Sequence, residues 1–178
     1  MKRKIPKVIA IAAVSGGGKS TIASCLKEKL GNSIALHFDD YDFKGPEDMI
    51  EWIENGCNPN EWDLTPLICE IQSLQTEMLD TIILDFPFAY LHDESSNLID
   101  FTVFIDTPLD LALARRISRD FKHASVDDIL GDLDHYILRG RQGYLAMLHT
   151  IKPNSDLIVD GTLSISEIAD IIAEHIGE

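Results

Sequence analysis

Residues 12–21 read AAVSGGGKST. Three successive glycines neither extend a strand nor start a helix well, because glycine loses the most backbone freedom on ordering. They are useful where the backbone must pass close to something that leaves no room for a Cβ. Before them, Val8–Val14 is an apolar run rich in branched side chains, the form of a strand buried on both faces. After them, Ile22, Leu26 and Leu30 recur at helical spacing over 19–30, with Gly31 placed to cap the helix. Strand, glycine loop, lysine, hydroxyl and helix follow the order of a phosphate-binding loop, the Walker A pattern G-x-x-x-x-G-K-[ST]. Ala13 stands at the first glycine, and Val14-Ser15-Gly16-Gly17-Gly18-Lys19-Ser20 completes the pattern. In such a loop the amides turn inward toward phosphate oxygens, helped by the positive end of the following helix. Ser15, Gly16, Gly17, Gly18 and Thr21 are therefore expected to cradle phosphates. Lys19 is expected to carry charge to the β- and γ-phosphates, and Ser20 to ligate Mg²⁺.

The rest of the chain repeats the alternation. SIALHF (33–38), TIILDF (81–86), FTVFID (101–106) and DLIVDG (156–161) read as further strands. Helices are expected over 46–54, with Pro46 at the start, and over 64–79, 108–123, 125–149 and 165–176. NGCNPNEWD, between the first two of these, reads as a loop. Strands alternating with helices predict an α/β architecture: a five-stranded parallel sheet with helices on both faces, in three layers. With the glycine loop this is the P-loop NTPase fold, and 178 residues suit a single domain spanning 1–178. Ligands of such sheets bind beyond the carboxyl ends of the strands, here 14–21, 37–42, 85–90, 106–108 and 160–162.

A net charge of −15 argues against nucleic acid and against an anionic membrane surface as partners. An anionic nucleotide must then be held by local positive groups. Of six arginines, Arg3 stands alone, and the others, Arg115 to Arg141, fall within 27 residues. Cys25, Cys57 and Cys69 lack metal or redox spacing and read as reduced thiols. The basic start MKRK and the apolar run superficially suggest a signal peptide, but the run is short and leads directly into GGGKS. No stretch reaches membrane-spanning length, so a cytoplasmic protein is expected.

Three groups of residues stand out at the strand ends. HFDDYDF (37–43) places Asp39 and Asp40 on the ligand side of the sheet, where a carboxylate can accept a hydroxyl proton. Two solvated acids in a turn would read the same way. Asp85 ends a buried strand and suits a carboxylate acting on the metal through water. Asp106 ends its strand in the same style, but helix capping accounts for it. In ALARRISRD (112–120), Arg115, Arg116 and Arg119 are expected on one broad helical face, where an anion would relieve their mutual repulsion. A solvated basic helix end would also fit. His37 flanks the candidate base and either lines the site or packs at the strand end.

Taken in order, AVSGGGKST, FDDYDF, EWD, the strand ending in Asp85, IDTPLDLALARRISRD and the late Ser155-Asp156-Leu157 resemble the uridine kinase-like family of P-loop kinases. That group includes uridine–cytidine kinases and nicotinamide riboside kinases. The resemblance implies a nucleoside/nucleotide-kinase type of fold with an arginine-bearing lid, here about 115–141. It implies transfer of the γ-phosphoryl group of ATP, with Mg²⁺, to a hydroxyl of a small molecule. It implies Asp39 as the base, with Asp40 and Tyr41 beside it on the substrate. It implies Trp62-Asp63 as an aromatic–acid pair contacting a nucleoside, the acid holding ribose hydroxyls. Asp85 matches the metal-side acid, followed here by Phe86-Pro87 where the family commonly has Glu then Gly. Arg116 and Arg119 match the lid arginines, with Arg115 on the nucleotide, and His135-Tyr136 matches a polar–tyrosine pair, His135 contacting substrate. After RRxxRD the chain has FKHAS where uridine kinases typically have an E-R-G-R type segment. The expected acceptor is a uridine- or cytidine-like nucleoside. A sugar, pantothenate or another vitamin-like alcohol is the alternative, and a nucleotide-binding regulatory ATPase a further one.

Overall fold

The computed structural model describes residues 5–177. Arg3 and most of the basic start lie outside the described residues. Five strands, β1 (Lys7–Ala12), β2 (Ser33–His37), β3 (Thr81–Asp85), β4 (Phe101–Asp106) and β5 (Leu157–Asp160), form one parallel sheet in the order β2-β3-β1-β4-β5. Eight α-helices accompany them: α1 (Lys19–Lys29), α2 (Met49–Glu54), α3 (Thr65–Leu74), α4 (Asp93–Ser96), α5 (Leu109–Asp120), α6 (Val126–His135), α7 (Arg141–Thr150) and α8 (Ile165–Gly177).

Strand alternation builds the layers. Ile9 and Ile11 of β1 join Ile22 and Leu26 of α1 and Ile168 and Ile172 of α8 in one core. Val8 and Ala10 join Leu67 and Ile71 of α3 in a second, and Ala12 meets Ile151 in a third. The central strand is thus buried on both faces, which is why its sequence is apolar without alternation. The expected three-layer fold with five parallel strands is observed.

Several boundaries differ from expectation. Helix α1 ends at Lys29 with Leu30 as its extended cap, and the left-handed residue is Asn32 (φ 55°), not Gly31. Asparagine tolerates that conformation, and its side chain donates to the Met78 carbonyl at 2.8 Å, anchoring the turn. Helix α2 starts after Asp48, which accepts from the amides of Ile50 and Glu51; a capping carboxylate defines the start more sharply than Pro46. Helix α3 stops at Leu74, and the short α4 was not expected. The stretch 125–149 is helical as read, opening on a capping box between Ser125 and Asp128. A single wide turn of π-helix, Tyr136–Gly140, joins α6 to α7 without breaking the rod. Among the described residues no helix is long and apolar enough to cross a membrane.

Candidate active site

The glycine loop lies beyond the end of β1, in the middle of the sheet. Each glycine is required for a different reason. Gly16 has φ +79°, and a Cβ there would sit 2.0 Å from the carbonyl oxygen of Ala112 in α5. Gly17 donates to the Val14 carbonyl at 2.8 Å, and its Cβ would overlap that oxygen and the Ala13 side chain at 2.7 Å. Gly18 has open space around it but a φ of +101°, which side chains resist. The close approach is therefore made partly to α5, a constraint not visible in the loop itself. Helix α1 begins at Lys19 with no side-chain cap and no acid in its first turn. Its leading amides are left for an anion.

A carboxylate lies beside the loop lysine. Asp85 ends β3, the neighbour of β1, and is only 3% exposed. Its Oδ1 is 3.8 Å from Lys19 Nζ and has no hydrogen-bond partner. Its Oδ2 is 3.2 Å from His37 Nδ1, at the end of β2 on the other side. A buried carboxylate oxygen without a partner is costly unless something completes it. Hard oxygen donors of this kind, with the exposed Ser20 hydroxyl on α1, fit Mg²⁺ held through phosphate and water. No cluster of three or more His, Cys, Asp or Glu residues able to hold a metal occurs among the described residues.

Asp39 and Asp40 are exposed on a 3-10 turn, Phe38–Asp40, directly after β2. Tyr41 turns away from them: its ring stacks on Phe43 at 5.2 Å and its hydroxyl donates to Glu70 of α3 at 2.7 Å. Burial and the Glu70 charge push its pKa well up. Tyr41 thus braces the turn.

The three arginines of α5 do not share one partner as expected. Arg115 lines a groove of about 280 Å³ with Gly17, Gly18, Thr21, Gly161 and Leu163. Arg116 donates through both terminal nitrogens to Asp132 of α6, at 3.1 and 2.5 Å, in a bidentate ion pair. Arg119 pairs with Asp120 at 2.6 Å. That bond holds the Arg119 pKa above its ordinary value, with a further contribution from Asp39 across the site. Arg115 and Arg116 are successive helical positions, about 100° apart, and they border different cavities, Arg115 the groove beside Gly17 and Gly18 and Arg116 the one beside Ser15. Arg116, Asp132, His135, Tyr136, Tyr144 and Ser15 surround one small cavity. The Tyr144 hydroxyl is buried without a hydrogen bond. Burial raises its pKa, and Arg116 pulls it partly back. Asp106 does not cap α5: it accepts from Lys152 at 2.6 Å, and the helix follows Pro108 with no side-chain cap.

Trp62 borders two cavities and Asp63 one of them. Trp62 packs among Phe38, Trp52 and Phe88, with ring centroids 5.5 to 6.1 Å away. It borders an apolar cavity of about 340 Å³ that reaches Ser15 of the glycine loop. Trp62 and Asp63 together line a second, polar cavity with Lys44, Asn60 and His92. The Asp63 carboxylate accepts from the Thr65 amide at 3.0 Å at the start of α3, and those Thr65 bonds hold its pKa below the usual value. An acid just before a Thr-Pro helix start signals a local bond to the backbone as readily as a ligand, and the sequence alone does not separate the two.

Thr107, Gly161, Leu163, Asp132 and Tyr144 were not singled out from the sequence. Thr107 and Gly161 fall in the strand-end stretches expected to carry ligands. Asp132 and Tyr144 carry no local signal, because only the packing of α6 and α7 brings them to the loop.

Sheet order, glycine loop and basic α5 together define the fold of the P-loop kinases. The chain resembles uridine kinases: it is 27% identical to one from Macrococcus caseolyticus, covering 95% of each chain, and 26% identical to one from Borrelia garinii subsp. bavariensis, covering 86% of this chain and 85% of that one. An APS kinase from Mycobacterium tuberculosis, solved in complex with AMPPNP and APS, superposes with a TM-score of 0.60 at 21% identity, covering 98% and 99% of the two chains. No family model matches the chain.

Proposed function

We propose that this chain is an ATP-dependent small-molecule kinase, a phosphotransferase with an alcohol group as acceptor. The observation that carries this reading is the buried, incompletely partnered Asp85 carboxylate 3.8 Å from Lys19 of the glycine loop. The resemblance to uridine kinases supports the reaction class. In it, the loop amides and the first turn of α1 hold the phosphates, and Lys19 charges the β- and γ-phosphates. Mg²⁺ bound through Ser20 and, by way of water, Asp85 supplies neutralisation of the charge that develops on the phosphate oxygens. Asp39 accepts the acceptor's proton. Arg116 and Arg119 close over the transferring group and exclude water, so that ATP is not hydrolysed. Arg115 and Leu163 bracket the nucleotide base in the groove beside Thr21. The lid is the span 115–141 of a single domain acting in the cytoplasm.

The relatives' names support a uridine-like nucleoside as acceptor, read by Trp62, Asp63 and His135. A second reading, a different small alcohol, is favoured by one observation: Asp63 is engaged at the start of α3 and lies outside the cavity that reaches Ser15. Release of ADP from Mg-ATP, measured with uridine, cytidine, nicotinamide riboside, adenosine, pantothenate and simple sugars, tests the proposal. Stimulation by an alcohol is expected. Hydrolysis of equal rate with and without every acceptor would overturn it in favour of a regulatory ATPase.

A further inference from the structure

The cavity that reaches the glycine loop is strongly one-sided in its chemistry. Phe38, Trp52, Trp62, Phe88, Tyr144 and Met147 form most of its wall, and no carboxylate, carboxamide, guanidinium or imidazole lines it. Its few polar groups are mostly committed or covered. The Trp52 N–H donates to the Asn58 carbonyl at 2.8 Å, and the Thr150 hydroxyl donates to the Ala146 carbonyl at 2.7 Å. The Trp62 N–H and the Tyr144 hydroxyl are buried without partners, so each can take one polar atom of a ligand. Burial raises the Cys57 thiol pKa and keeps it neutral. Ser15, which also lines the cavity, belongs to the glycine loop. Phe38 on the wall immediately precedes Asp39.

We infer that the acceptor is an alcohol with an apolar body, aromatic or branched aliphatic, that seats in this cavity with its hydroxyl toward Ser15 and Asp39. The inference rests on the kinase reading above and narrows its acceptor. A wall of this kind gains from every apolar surface it covers. A polyol entering it meets few such partners, and each hydroxyl left without one costs about five- to a hundredfold in affinity. A ribose brings two hydroxyls besides the reacting one, and Asp63, the carboxylate that would take them, lies on the other side of Trp62. The cavity, about 340 Å³, has room for a small ring system with a side chain.

The chain's two tryptophans, Trp52 and Trp62, both border the cavity, so their emission reports its occupancy without reference to turnover. The probes are benzyl alcohol, 2-phenylethanol and cyclohexylmethanol, set against uridine and glucose. The apolar alcohols are expected to shift the emission at concentrations at least about tenfold lower than the polyols, and to stimulate ADP release from Mg-ATP. Gly143→Leu, whose Cβ meets Ile53 no closer than 3.7 Å, fills the cavity from α7 and is expected to remove both responses. Ala146→Leu repeats the test from the next turn should the first variant fail to fold. Uridine or glucose shifting emission at concentrations equal to or below those of the apolar alcohols would overturn the inference, as would an unchanged response in the filled variants. Emission shifts from the apolar alcohols with no ADP release from any acceptor would keep the cavity's preference and discard the kinase reading.

Discussion

Thr107 donates its hydroxyl to the carbonyl of Gly17 at 2.9 Å, linking residues ninety positions apart at the centre of the site. Thr107 is 2% exposed. A Cβ on Gly161, after β5, would lie 1.9 Å from the same hydroxyl. One threonine thus ties the glycine loop, the end of β4 and the turn after β5. Thr107→Val keeps the shape and removes the donor, leaving a buried carbonyl short of a partner. The expected loss is about 1–3 kcal/mol of stability together with weaker nucleotide binding. Calorimetric melting and nucleotide titration check this; an unchanged melting temperature and affinity would remove Thr107 from the loop's support.

The loop glycines are expected to rank by mechanism. Gly18→Ala meets open space and bears only the left-handed backbone strain, about 1–2 kcal/mol. Gly16→Ala adds an overlap with the Ala112 carbonyl and must displace α5, so its loss is larger. Urea unfolding of the two variants measures the order, and equal losses would show that α5 yields freely.

For the proposed chemistry, Lys19→Ala is expected to abolish turnover. Asp39→Asn is expected to lower kcat by about 10²–10⁴-fold while the nucleotide Kd stays nearly constant. Steady-state kinetics beside a binding titration separate the two effects. Near-normal turnover in Asp39→Asn would remove Asp39 from the mechanism.

Asp132 holds Arg116, one of the two arginines proposed to close over the transferring group. Both side chains are largely buried, 16% and 20% exposed, and their bond is bidentate. Asp132→Asn keeps the shape of the partner and removes its charge. We expect tighter ATP binding in the variant, by a few-fold at low salt, with a somewhat lower melting temperature. Weaker ATP binding would mean that the pair positions Arg116 rather than withholding it.

Acid stability should depend on carboxylates bonded at helix starts. The hydrogen bonds of Thr65 to Asp63 and of Ser125 to Asp128 hold both acids below their ordinary value of 3.8 in the fold. A depressed folded pKa stabilises the fold fully above the unfolded pKa, and this is lost as pH falls through the folded value. Asp63→Asn, which keeps an acceptor for the Thr65 amide and removes the charge, should therefore flatten the fall in melting temperature below about pH 4. Melts from pH 6 to pH 2 measure the slope; identical slopes in variant and parent would show that this carboxylate does not report acid unfolding.

Much of this site was legible because its signals are local. The apolar strand, the three glycines, Lys19 and Ser20 fall within fourteen residues, and Asp85 is marked by the buried run it ends. The partners were not legible. Nothing near Arg116 announces Asp132, and nothing in Gly16 announces Ala112, because the packing of α5 and α6 creates both contacts. Asp63 and Tyr41 each carry a side chain suited to a ligand and make a hydrogen bond to α3 that their local sequence does not announce. Asp106 was judged a cap from its sequence position, but folding brings Lys152 within 2.6 Å and makes an ion pair instead.

The wide turn Tyr136–Gly140 sets the phase of one long rod. Upstream of it α6 shows Asp132 to Arg116; downstream, α7 shows Tyr144 and Met147 to the apolar cavity. A π-turn inserts one residue into the α-helical repeat and rotates all that follows by about 100°. The register between the phosphate side and the cavity side of the site is therefore held by a single residue's worth of winding. Removing one residue from this turn would leave both helices intact and aim α7 elsewhere, so chain length here is constrained as tightly as side-chain identity.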